Sequence, residues 1–116
     1  MPQRVEAGWL QRRLEEGEAV LLDVAPPPQF AAGHVPGSLS VPADVPGFAA
    51  RVHGLVPDHV TPIVVYADGD VHAVGQAARA LEMVGYQRVF EFRSGLAGWQ
   101  RTGHVVERSP AQAKTL

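Results

Sequence analysis

The chain has 116 residues, enough for one sheet covered by helices and too few for two independent cores. Its hydrophobic share of 46 % and charged share of 19 % exclude a disordered polyelectrolyte. A formal charge of −2 offers no basic surface to nucleic acid or an anionic membrane, and no apolar run reaches the roughly 20 residues that span a bilayer, so neither partner is expected.

The opening residues MPQRVEAGWL lack the apolar centre of a signal peptide, so a cytoplasmic location is expected. With no cysteine, disulfides, thiolate metal sites and cysteine nucleophiles are excluded together. Arginine supplies nine of the ten basic residues, asparagine is absent and there are ten prolines, a mixture that suits a thermophilic source.

Residues 6–16 put Trp9, Leu10 and Leu14 on one face of a first helix, which Gly17 ends. Residues 19–24 form a continuous apolar run closing on Asp23 and Val24, as in a strand buried on both faces. Pro26, Pro27 and Pro28 then forbid pairing and turn the chain into a short helical piece near Phe30. A short strand is expected at 39–41 and a short helix at 44–53, with Phe48 and Val52 inward. Residues 62–67, P-I-V-V-Y-A, read as the central strand. From 73 to 84, Val74, Ala77, Ala78, Leu81 and Val84 recur at helical spacing, and Gly85 closes that helix. Residues 88–92 give a further strand. The alternation predicts an α/β fold in which a small parallel sheet is flanked by helices on both faces. Domain and tail divide at 1–106 and 107–116, the tail being polar and broken by Pro110.

Ligands of such sheets lie at the carboxyl ends of the strands, which directs attention to the loops after Val24, Ala67 and Phe92. The second of these reads Asp68-Gly69-Asp70 and continues to His72. Three oxygen and nitrogen ligands within five residues could hold a divalent ion, but the favoured reading is a solvated turn, with Gly69 supplying an unusual backbone angle and Asp70 capping the next helix. No metal and no cofactor are therefore assigned.

Four stretches in order carry a resemblance: L-L-D-V at 21–24, G-H-V-P-G-S at 33–38, P-I-V-V-Y-A at 62–67 and S-G-L-A-G-W at 94–99. Together they are similar to the rhodanese-like domains, a family of thiosulfate sulfurtransferases, over about residues 5–106. Gly33, Pro36 and Gly37 suit a tight turn, His34 is expected to bond backbone there, and Trp99 to cap the core. Asp23 is read as a polar anchor of the loop that follows it.

The resemblance implies an active-site loop of the form C-R-x-G-x-R, whose backbone amides and arginines hold an anionic persulfide at a helix N-terminus. The matching residues here are Ala67, Asp68, Gly69, Asp70, Val71 and His72. Alanine at 67 can neither attack nor carry sulfur. Aspartate at 68 and histidine at 72 replace the arginines, and Ala25 replaces the family's arginine after the Asp-Val pair, leaving Asp23 and Ala25 as pocket neighbours. Ser38, Ser40 and Ser94 lie in suitable loops, yet an oxygen nucleophile yields no persulfide. The expected function is thus a rhodanese-like domain without sulfurtransferase activity, with a binding, regulatory or structural role and a protein partner left open. The alternative is a substituted site: V-V-Y-A-D-G-D imitates the strand end of haloacid-dehalogenase-like phosphatases, which would make Asp68 and Asp70 the centre of a weak Mg²⁺-dependent phosphatase. Such an enzyme needs a cationic group, and Lys114, the one lysine, sits in the tail.

Overall fold

Ten elements alternate along the chain in the computed structural model, which describes residues 2–108: β1 (Gln3–Arg4), α1 (Ala7–Glu15), β2 (Val20–Asp23), α2 (Pro27–Ala32), β3 (Leu39–Ser40), α3 (Phe48–Leu55), β4 (Ile63–Tyr66), α4 (Val71–Met83), β5 (Val89–Glu91) and α5 (Gly95–Arg101). The strands form one sheet in the order β1-β5-β4-β2-β3, and every pair is parallel. Asp23 of β2 stands level with Tyr66 of β4, and Val65 of β4 level with Glu91 of β5. The carboxyl ends of the three central strands therefore meet along one edge of the sheet.

Side chains alternate between two cores, as the period of two in a strand requires. Ile63 and Val65 face a cluster with Leu22, with Phe48 and Val52 from α3, and with Val74, Ala78 and Leu81 from α4. Val64 and Tyr66 face the opposite cluster, built with Leu21, with Leu10 from α1, and with Leu96 and Trp99 from α5. The expected α/β architecture is present, with the sheet covered on both faces.

Several boundaries move, each for a local reason. The helix expected at 44–53 begins only at Phe48, because Pro46 precedes Gly47 and Gly47 has φ +85°, outside helical geometry. Helix α4 starts at Val71 rather than 73, since Asp70 already caps it, and Val84 at its end is 46 % exposed rather than packed on the sheet. Strand β1 and helix α5 were not expected. β1 is two exposed residues that pair with Phe90 and Glu91. Helix α5 holds two glycines in seven residues and exists because Leu96 and Trp99, three apart, bury on the same side. At the far end Glu107 pairs with His34 in an antiparallel bridge, and most of the tail, residues 109–116, lies outside the described residues.

Candidate functional site

The segment 67–72 leaves the carboxyl end of β4 and enters α4. Ala67 is buried at 1 % exposure, while Asp68, Gly69, Asp70, Val71 and His72 are exposed. Two glycines make the path of this loop feasible. Gly69 has φ +82°, and Gly95, at the start of α5, has φ +61°. A Cβ on Gly95 would lie 2.2 Å from the Ala67 carbonyl oxygen, so only glycine allows α5 to close on the loop backbone. On the other side Asp70 fixes the entry to α4: its Oδ1 accepts the Ala73 N–H at 3.0 Å and its carbonyl accepts the Val74 N–H at 3.2 Å.

A cleft of about 270 Å³ opens beside this loop. Val24, Ala25 and Ala43 contribute apolar lining, and Gln29 and Gln76 come from α2 and α4. Three carboxylates reach it, from Asp44 after β3 and from Asp68 and Asp70 after β4, together with His72. Among the described residues no arginine or lysine lines the cleft. Free N–H groups at the first turn of a helix favour anions. Here the carboxylates oppose that preference, and Asp70 itself occupies one of the amides.

Beneath the loop lies a buried polar group of four residues. Asp23 is 2 % exposed and its Oδ1 accepts the Ala25 N–H at 3.0 Å. Burial raises the Asp23 carboxyl above the ordinary aspartate value; the Tyr66 hydroxyl, the Ala25 amide and His34 counter this, and the charge of Asp68 adds to it. Tyr66 accepts the Val35 N–H at 2.9 Å and its hydroxyl lies 3.2 Å from Ser38 Oγ, which also reaches the Val35 carbonyl at 2.7 Å. Burial first, and then the negative charge of Asp23, hold Tyr66 protonated far above the usual tyrosine range. These groups stiffen the floor under the loop rather than offering a nucleophile.

The structure brings Ala25, Asp68, Asp70 and His72 into one cleft and sets Asp23 below it, as an anchor of the residues that follow β2. His34 bonds the Phe30 carbonyl through Nδ1 at 2.8 Å, and Trp99 packs in the core with Nε1 on the Val105 carbonyl. Ser38 is committed to the Tyr66 network, and Ser40 and Ser94 are exposed at β3 and at the start of α5. Among the described residues no three metal-ligating side chains converge. Asp44, Gln29 and Gln76 were not singled out from the sequence. Asp44 follows the short strand β3, whose carboxyl end adjoins that of β2, and the rule that pointed to the other loops would have found it had that strand been weighed equally.

Residues 6–102 match the family described as Rhodanese-like domain. An uncharacterized protein of Escherichia coli K12, YibN, is 28 % identical over 96 residues, which cover 82 % of this chain and 65 % of that protein. The HTH-type transcriptional regulator Rv0324 of Mycobacterium tuberculosis is 31 % identical over 98 residues, covering 84 % of this chain and 42 % of that one. The chain thus spans less than two thirds of these curated relatives. Among solved structures, the Alr3790 protein from Anabaena superposes with a TM-score of 0.80 at 29 % identity, covering 95 % of this chain and 99 % of the other. A thiosulfate sulfurtransferase from Pseudomonas aeruginosa gives 0.80 at 27 % identity, over 93 % of this chain and 20 % of the enzyme. In sequence and in fold, then, this chain belongs to the rhodanese-like domain family, and its sequence contains no cysteine to carry a persulfide.

Proposed function

We propose that the segment 67–72 is the counterpart of the family's sulfur-binding loop, and that the domain is a non-catalytic module which docks a positively charged group of a partner protein in the cleft beside it. The observation that carries this reading is the charge of the cleft: three carboxylates from two loops and, among the described residues, no arginine or lysine in the lining, next to a buried alanine. An anionic substrate would meet repulsion there, whereas a lysine or arginine side chain could lie over the apolar floor and reach Asp44 and Asp68. A regulatory setting is supported by the relative named as a transcriptional regulator, in which the matched stretch is 42 % of the protein. The phosphatase alternative gains no observation, since Asp70 is occupied in capping α4.

The experiment is a titration followed through backbone amide resonances, using a short peptide with two arginines as probe and thiosulfate as its anionic counterpart. The peptide should shift the resonances of the loop and of Ala43 to Asp44, with affinity falling as salt rises. Asp44→Asn with Asp68→Asn should weaken it about ten-fold, equivalent to two surface charge contacts. A response to thiosulfate but not to the peptide, or thiocyanate produced from thiosulfate and cyanide above a protein-free control, sinks the reading.

A further inference from the structure

The C-terminal segment returns to the domain beside His34, away from the charged cleft. The His34 N–H donates to the Glu107 carbonyl at 2.8 Å, and the Glu107 N–H donates back to the His34 carbonyl at 2.9 Å. Val106 packs on the cluster built by α1 and α5, and Trp99 Nε1–H donates to the Val105 carbonyl at 2.7 Å. The His34 ring is held firmly: the residue is 7 % exposed, and the ring stacks on Phe30 with centroids 3.8 Å apart and planes 8° from parallel.

Its tautomer follows from its partners. A carbonyl oxygen only accepts, so the 2.8 Å contact with the Phe30 carbonyl places a hydrogen on Nδ1. The neutral ring then turns the lone pair of Nε2 toward Glu107, whose Oε1 is 3.8 Å away. Two acceptors facing each other gain nothing. A proton on Nε2 turns the same contact into an ion pair, which the exposed Glu107 side chain can shorten toward a charge-assisted hydrogen bond while the stacked ring stays in place. Among the described residues, Asp23 from β2 is a further charged group that interacts with the ring; α2 contributes Phe30 and its carbonyl, which carry no charge.

We propose that His34 and Glu107 form a proton-operated latch, in which protonation of Nε2 tightens the docking of segment 105–108 on the domain and loss of that proton loosens it. The latch stands independently of what the cleft binds. It joins the end of the described chain to the polar group under the site, because His34 and Asp23 share one electrostatic neighbourhood.

Hydrogen exchange of the His34 and Glu107 amides tests it, followed from about pH 8 to about pH 5.5 and corrected for intrinsic exchange chemistry. Amides of β4 report global opening and are subtracted. In the wild-type chain the two amides should gain about three-fold in protection at the acid end, the size of a half-exposed ion pair. Glu107→Gln keeps the backbone pairing, removes the charge at an exposed position, and should abolish the dependence. Protection that stays flat with pH in the wild type, or a dependence that survives in Glu107→Gln, overturns the latch.

Discussion

The Asp23 carboxyl group closes β2 where water scarcely reaches it, and its Oδ1 accepts the Ala25 N–H. Because its folded value is raised, the native state binds the proton more readily than the unfolded chain does, and this favours folding only in acid. The contribution is complete below the unfolded aspartate range and disappears as pH climbs through the raised value. Asp23→Asn keeps an acceptor for the Ala25 N–H and removes the ionisation. The variant should therefore be more stable than wild type at neutral pH, with the difference shrinking as pH falls into the carboxylate range; parallel urea titrations at several pH values measure it. A variant less stable at pH 7 than at pH 4, relative to wild type, would mean that the ionised carboxylate is needed by its neighbours. The role of Asp23 as an anchor was legible from its place at the end of an apolar run. Its coupling to Tyr66, Ser38 and His34 was not, because those residues are distant in sequence and meet only when the strands come into register.

At the scale of elements, the approach of α5 to the loop after β4 depends on one position. Gly95→Ala places a methyl group against the Ala67 carbonyl and forces an alanine to a positive φ. The expected loss is about 2–4 kcal/mol, from backbone strain together with overpacking, measured by urea denaturation. A loss below about 0.5 kcal/mol, the range of an ordinary surface change, would show that α5 can slide away without consequence. The long helix α4 and the strands β2 and β4 could be read from the sequence because their burial is periodic or continuous. Helix α5 could not, since glycines at 95 and 98 lower helical propensity and its stability comes from packing Leu96 and Trp99. Gly47 hid the start of α3 in the same manner, as a left-handed residue inside an otherwise plausible helical pattern.

The whole molecule determines what a restored nucleophile would experience. Ala67→Cys returns sulfur to a fixed backbone, but the surrounding charge comes from separate parts of the fold: Asp44 after β3, Asp68 and Asp70 after β4. The N-terminus of α4 offers about half a positive charge, which carboxylates at comparable range offset. The new thiol should titrate near or above the free value of about 8.5, and adding Asp68→Arg, Asp70→Gly and His72→Arg should lower it. The pH dependence of iodoacetamide alkylation compares the two; a single variant titrating below about pH 7 would mean that the backbone amides dominate the carboxylates.

The two outer strands of the sheet, β1 and β3, are each two residues long, and all four residues are exposed. A strand that short offers a neighbouring molecule almost no ladder to extend, and Arg4 puts a charge on one border. In a crowded or concentrated solution this matters more than stability does: polymerisation through open sheet borders, the common route from a folded α/β domain to fibres, has little to start from at either side.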